Sequence, residues 1–186
     1  LQRDVHFHDL GLVIVDEDKQ YDRFRSRIMF PIVNLKGYII GFGGRVIEPG
    51  EPKYLNSPET VLFGKGRELY HLFSARRAIR EADRVIVVEG YMDVLALAQH
   101  GVTNAVATLG TAVTPDHLDR LFKVSTSMVF CFDGDAAGRR AATRAEDGDV
   151  RGFPPFREGP LSPHGLDSPG AQRGPRRTRV FRPAWA

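Results

Sequence analysis

A single cysteine, Cys131, stands in 186 residues. One thiol excludes a disulfide framework and a cysteine-based zinc site, and it fits a reducing compartment. No run of about 18 apolar residues occurs, so no membrane span is expected. The first nine residues carry Arg3, Asp4, His6 and Asp9 and no apolar core, so no signal peptide is expected there. The start on Leu1 rather than Met points to a piece of a longer protein. Lysine is absent from residues 147–186, which hold seven Pro and six Gly and no periodic apolar face. That is the composition of a disordered tail rather than of a core. The full length of 186 residues suits one ordinary domain or one and a half small ones.

Charge is present in both signs, and the two signs separate. Residues 22–77 hold ten Lys/Arg against five Asp/Glu, whereas residues 81–135 hold three against eight. A basic half beside an acidic half suits a site that holds phosphates on one side and cations on the other. The alternative reading of charge alone is two solvated faces.

Periodicity divides the body in two. Leu12–Val15, Arg27–Val33 and Tyr38–Phe42 read as strands, with a turn at Lys36-Gly37. Residues 48–66, rich in Pro, Gly, Asn and Ser, read as an ordered loop, and Leu69–Ala82 has helical spacing. From Arg84 strands alternate with helices. Val85–Val88 is a continuous β-branched run, the mark of a strand buried on both faces. Tyr91–His100 reads as a helix closed by Gly101. Ala105–Leu109 is a short strand, and Thr114-Pro115 opens a helix with Thr as N-cap and Pro at N1. Met128–Phe132 is a strand, followed by a helix over 136–146. This order predicts an α/β fold, a small parallel sheet flanked by helices, preceded by a mixed α+β basic subdomain.

The acidic residues fall at strand ends. Glu89 follows the Val85–Val88 strand, with Asp93 one helical turn later, and Asp133-Gly134-Asp135 follows the Met128–Phe132 strand. In a parallel sheet, functional groups gather at the carboxyl edge. Carboxylates converging there repel unless a cation neutralises them, and oxygen-only ligands suit Mg²⁺ or Mn²⁺. Met29, Phe30 and Phe42 are read as core, and Cys131 as a buried strand residue without an activating neighbour. The histidines His6, His8, His71, His100, His117 and His164 show no metal spacing. Arg23, Arg25 and Arg27 alternate, as on one solvated strand face.

These motifs carry a resemblance. Residues 85–145 resemble a TOPRIM domain, the metal-binding fold of primases, topoisomerases and some nucleases. Arg27–Ile32 (RIMFPI), Gly41–Arg45 (GFGGR), Pro52–Thr60 (PKYLNSPET) and Val88–Val94 (VEGYMDV) are together similar to the bacterial DnaG-type DNA primase. The likeness implies a DNA-templated RNA polymerase that makes short primers for replication. It implies Glu89, Asp133 and Asp135 as catalytic carboxylates. Glu89, Asp93, Asp133 and Asp135 would be the metal-holding set, with Glu89 as ligand or general base. Arg45, Lys53, Tyr54, Asn56 and Lys65 fall on positions used near nucleotide and template. The implied partners are single-stranded DNA, ribonucleoside triphosphates and a replicative helicase, the last through a domain absent here. Zinc belongs to another absent domain. A monomer in the bacterial cytoplasm, at the nucleoid or replication fork, is implied.

The expected organisation is a basic N-terminal subdomain over 1–80, the TOPRIM domain over 81–146 and a non-family tail over 147–186. The family's third acidic motif, roughly G-x-D-P-D-x-L-V, is missing. One synonymous encoding of Gln172–Val180, read one nucleotide later, gives S-E-D-P-D-A-L-V, so the tail reads as a frameshift. Residues 147–186 are therefore expected to supply no element in register with the sheet. A TOPRIM nuclease or topoisomerase, and a single-strand-binding module without catalysis, are the competing readings.

Overall fold

The computed structural model describes residues 11–16, 19–132, 157–158 and 177–181. Strand β1 (Val13–Asp16) and β2 (Lys19–Asp22) make an antiparallel ladder. Strand β3 (Arg27–Val33) then turns back into β4 (Ile39–Val46), and β5 (Tyr54–Asn56) closes a three-stranded antiparallel sheet in the order β3-β4-β5. The β3–β4 reversal is built by Asn34, whose Oδ1 accepts from the backbone N–H of Lys36 (2.9 Å) and Tyr38 (3.0 Å). Such side-chain-to-backbone bonds are why Asn favours turns, and Gly37 supplies the positive φ of 91°.

Helix α1 (Leu72–Ala82) buries Leu72, Ala75 and Ile79 and ends at Asp83, which adopts a left-handed φ of 40°. Then come β6 (Val85–Val88), α2 (Tyr91–Gln99), β7 (Ala105–Ala107), α3 (Pro115–Phe122) and β8 (Ser127–Cys131). Two further strands, β9 (Arg157–Glu158) and β10 (Arg177–Phe181), complete a parallel sheet in the order β7-β6-β8-β10-β9. Thr114 caps α3 as its sequence predicts, its hydroxyl accepting from His117 N–H at 3.2 Å and donating to the Gly66 carbonyl.

Strand alternation assigns the parallel sheet's two faces. Val85, Val87, Val106, Met128 and Phe130 turn to one side and are covered by α1 and α3 through Leu72, Ala75, Ile79, Leu118 and Leu121. Val88 and Ala107 turn to the other, where they meet Val94 of α2 and Phe30, Ile32 and Ile40 of the antiparallel sheet. The two sheets thus share one apolar core. Neighbouring strands β6 and β8 run in register, with Val85 opposite Met128 and Val87 opposite Phe130.

Several expectations are corrected. Strand β2 and strand β5 were not expected, the latter within the stretch read as loop. Met29 and Phe42 are half-buried rather than core: Met29 alternates along β3 with the inward Phe30, and Phe42 on β4 lies opposite the exposed Pro31. Cys131 is likewise half-buried. Arg23 and Arg25 lie in the Arg23–Ser26 turn, not on a strand face. The expectation that residues 147–186 supply no element in register with the sheet fails at β9 and β10. Strand β8 presents an open backbone edge there, and Thr178, Val180 and Phe181 have high strand propensity. The helix expected over 136–146, along with His6, His8 and His164, lies outside the described residues.

Candidate functional site

Glu89 is the first residue past β6, at the carboxyl edge of the parallel sheet, and is half-buried. Continuing the β6–β8 register by two residues aligns Glu89 with Phe132, after which the sequence reads Asp133-Gly134-Asp135. Asp133 and Asp135 themselves lie outside the described residues. Asp93 is exposed on the first turn of α2. Its Oδ2 accepts from Gly90 N–H at 3.0 Å, which satisfies one of the orphan donors at the helix start. The carboxylate therefore stands beside Glu89 for a local structural reason as well. Among the described residues, no three of His, Cys, Asp and Glu converge as a complete ion cage. The donors that do stand at this edge are carboxylate oxygens, the chemistry of a hard divalent cation.

Arg27, Arg45 and Lys53 stand on or beside the three-stranded antiparallel sheet, with Arg23 and Arg25 in the turn that leads into it. Arg45 on β4 pairs in register with Tyr54 on β5, and Lys53 immediately precedes β5. The Lys53 ammonium lies 5.9 Å from the Tyr54 ring centroid, and Arg25 stacks 4.8 Å from that of Tyr21. Among the described residues the ion pairs are Arg77–Glu81 and Arg120–Glu68, so Arg23, Arg25, Arg27, Arg45, Lys53 and Lys65 pair with no carboxylate there. The Nε atoms of Arg23 and Arg45 are buried without a hydrogen-bond partner. Desolvated guanidinium nitrogens without acceptors are costly, and an incoming anion removes that cost.

Lys65 stands on a separate loop that packs against the start of α3. Its backbone N–H donates to Glu59 Oε1 at 3.1 Å, and its carbonyl accepts from His117 Nε2 at 2.9 Å. His117 is fully buried. Its Nε2 also faces the Glu68 carbonyl at 3.1 Å, so that nitrogen carries the proton, while Nδ1 accepts from Thr114 N–H at 3.2 Å. Burial pushes the imidazole pKa down, against the opposing pull of the two carbonyls. Beside it, Arg120 grips Glu68 in a bidentate pair at 2.9 and 3.1 Å, although burial still raises the Glu68 pKa. The loop that displays Lys65 is thus held from below by a buried polar network.

Asn56 and Tyr91 join the acidic edge to the basic sheet. Asn56, the last residue of β5, accepts from the Tyr91 hydroxyl at 2.6 Å through Oδ1 and donates from Nδ2 to the Leu109 carbonyl at 2.9 Å. The Tyr91 ring stacks on Phe30 (4.8 Å between centroids, 9° between planes) and meets Tyr70 edge-on at 4.7 Å. Burial, with Tyr70 nearby, pushes the Tyr91 phenol well above its usual range, so the hydroxyl remains a donor. Of the residues singled out in the sequence, Arg45, Tyr54 and Asn56 come together on β4 and β5 with Lys53 just before β5, and Glu89 and Asp93 at the carboxyl edge. Tyr91 and His117 were missed as parts of the site. Tyr91 sits inside the Glu89–Asp93 motif, which was a usable signal; nothing local marks His117 as buried.

Residues 2–76 match the family described as DNA primase catalytic core, N-terminal domain, and residues 83–154 match the Toprim domain. The chain is 62% identical to a DNA primase of Pseudomonas putida over 139 residues, 74% of this chain and 21% of that protein. In three dimensions it is similar to a DNA primase domain from Pseudomonas aeruginosa, with a TM-score of 0.74 and 56% identity over 79% of this chain and 46% of that one. It is similar as well to a DnaG primase catalytic domain bound to single-stranded DNA, with a TM-score of 0.73 and 51% identity over 78% of this chain and 46% of that one. The chain spans between a fifth and a quarter of the length of the curated relatives it matches. Two family matches in tandem, a parallel sheet with Glu89 at its carboxyl edge and a cationic antiparallel sheet packed against it agree on one assignment: this chain belongs to the DnaG-type DNA primase family, where it covers catalytic-core and Toprim sequence.

Proposed function

We propose that the protein to which this sequence belongs synthesises short RNA primers on single-stranded DNA for replication, by metal-dependent nucleotidyl transfer. The observation that carries the reading is the β6–β8 adjacency. It aligns Glu89 with the residue that precedes Asp133-Gly134-Asp135, next to a sheet whose cations have no carboxylate partner among the described residues. Residues 1–80 would be the basic subdomain, the Toprim domain would begin near 81 and include the matched stretch to 154, and the remainder to 186 would be a tail outside the family pattern. Glu89, Asp93, Asp133 and Asp135 would hold Mg²⁺ or Mn²⁺. A divalent ion at such carboxylates lowers the pKa of an attacking hydroxyl and spreads the charge of a phosphoryl transition state.

The chain's own residues bind and orient. Arg45 and Lys53 offer cationic donors to the phosphates of nucleotide or template, and Tyr54 offers a ring face on which a base can stack. Asn56 fixes the end of β5, and Lys65 approaches from the α3 side. Glu89 holds the carboxyl edge and serves as ligand or as base for the primer hydroxyl. The replicative helicase, the monomeric state, zinc in a separate domain and a site of action in the cytoplasm at the replication fork complete the proposal. A second reading, single-strand binding without catalysis, is favoured by the missing G-x-D-P-D-x-L-V motif. An incorporation assay with ribonucleoside triphosphates, a single-stranded template and Mg²⁺ or Mn²⁺ separates the two, run beside filter binding. Template binding without synthesis is expected of this chain; synthesis abolished by Glu89→Gln supports the enzymatic reading outright. Absence of template binding at low salt by the folded chain would reject both.

A further inference from the structure

Tyr91 occupies a position that the nucleotidyl-transfer reading leaves unused. It lies two residues from Glu89 and two from Asp93, the two described carboxylates of the acidic edge. Its side chain crosses to the other sheet, where the ring lies flat on Phe30 of β3 and the hydroxyl donates to Asn56 Oδ1 of β5 at 2.6 Å. The approach is close enough that Gly43 of β4 could not carry a Cβ without colliding with the Tyr91 ring. Asn56 in turn donates to Leu109, in the loop that follows β7. Parallel β6 pairs with β7 through Val88 and Ala107, so Leu109 stands at the same carboxyl edge as Glu89. One hydrogen-bonded chain, Tyr91 to Asn56 to Leu109, therefore ties both flanks of Glu89 to the end of the strand that begins at Tyr54 and follows Lys53.

We infer that Tyr91 is a positioning residue, which sets the distance between the carboxylates and the Lys53–Tyr54 strand so that one metal-bound nucleoside triphosphate is gripped by both. The inference rests on the function proposed above. Packing alone would need only the ring, since Phe30 and Tyr70 contact carbon. The buried hydroxyl adds direction: it has one acceptor, and that acceptor is a side chain at the end of the nucleotide-proximal strand. Two binding elements held at the right separation act on one ligand without first paying to be aligned. If the tie is cut, each element keeps its own chemistry and the pair loses its cooperation.

The test is calorimetric titration of the whole chain with ATP, with and without Mn²⁺, and with Mn²⁺ alone. The parent chain should bind ATP more tightly in Mn²⁺. Tyr91→Phe keeps the ring and removes the tie. It should leave Mn²⁺ binding alone and ATP binding without metal within about twofold of the parent, yet lose roughly five- to tenfold of the Mn²⁺-dependent gain, the worth of one net hydrogen bond. Asn56→Ala cuts the same tie from the other side and keeps the aromatic stack. In that background Tyr91→Phe should change the Mn²⁺-dependent gain by less than about twofold. A full gain in Tyr91→Phe with only a lower melting temperature would overturn the inference and leave Tyr91 a packing residue. Independent, additive losses in the two variants would overturn it too. No Mn²⁺-dependent gain in the parent chain would instead reject the metal-nucleotide reading beneath it.

Discussion

Gly43→Ala tests the junction between the two sheets with a single methyl group. A Cβ built at Gly43 falls 2.7 Å from Tyr91 Cε2 and overlaps Cζ and the hydroxyl. Favourable carbon–carbon contact begins at about 3.5 Å. The ring cannot swing away cheaply, because Phe30 covers one face at 4.8 Å and Tyr70 abuts it at 4.7 Å. Nor can β4 retreat, since it is paired with β3 on one side and β5 on the other. Overpacking of this kind costs about 1–3 kcal/mol, and losing the Tyr91–Asn56 bond adds about 0.5–1.5 kcal/mol. The reduced freedom of the unfolded chain returns about 0.4–1 kcal/mol. The net expectation is a loss of about 0.5–4 kcal/mol, centred on about 2 kcal/mol, or roughly 4–8 °C in melting temperature at that centre for a domain of this size. Gly50→Ala is the control, since its nearest neighbour would be the Val46 Cγ2 at 3.6 Å. Urea denaturation followed by circular dichroism reads both. In a Tyr91→Ala background the collision partner is gone, so the cost of Gly43→Ala should nearly vanish. Equal cost in the two backgrounds, or a Gly43→Ala midpoint matching the parent, would refute the account of this junction.

Two further outcomes follow from the site. Arg45→Ala and Lys53→Ala should each weaken single-stranded DNA binding and reduce the slope of log K against log salt by about 0.7, read by anisotropy titrations at several salt concentrations. An unchanged slope would make these cations a solvated face. The second outcome concerns pH. His117 is held neutral against Thr114 N–H and the carbonyls of Lys65 and Glu68, with Arg120 and Asp116 the charged groups around it. Its folded pKa lies below the ordinary 6.5, so above that value both states are neutral and its contribution is constant. As pH falls below about 6.5 the unfolded chain binds a proton that the folded one refuses, and stability declines. Melting curves from pH 8 to 5 should show this decline in the parent and a smaller one in His117→Gln; identical pH dependence in both would reject it.

Much of the architecture was legible because local rules and global fold agree. Arg27–Val33 and Val85–Val88 are β-branched or apolar runs bounded by turns, and both strands appear with those bounds. Thr114-Pro115 opens α3 because the cap and the missing N–H are properties of the first turn alone. The carboxyl-edge position of Glu89 follows from strand–helix alternation without knowledge of strand order. Three residues, Tyr54–Asn56, are too few to show a period against Pro, Asn and Ser neighbours, so β5 was read as loop. β10 was unreadable for a different reason: its place depends on the open edge of β8, which is a partner far away in sequence.

The sequence by itself determined the types of the long, strongly patterned elements, the carboxylate spacing and the separation of charge into two halves, since each can be read from residue type and spacing along the chain. The tertiary structure alone decided how those halves meet. It brought the Tyr91 hydroxyl onto Asn56, 35 residues upstream, and it buried His117 beneath the loop of Lys65, 52 residues away. Such contacts carry no periodic signature. They arise because two apolar sheet faces must be covered at once, and the polar atoms trapped between them pair with whatever acceptor the packing brings within reach.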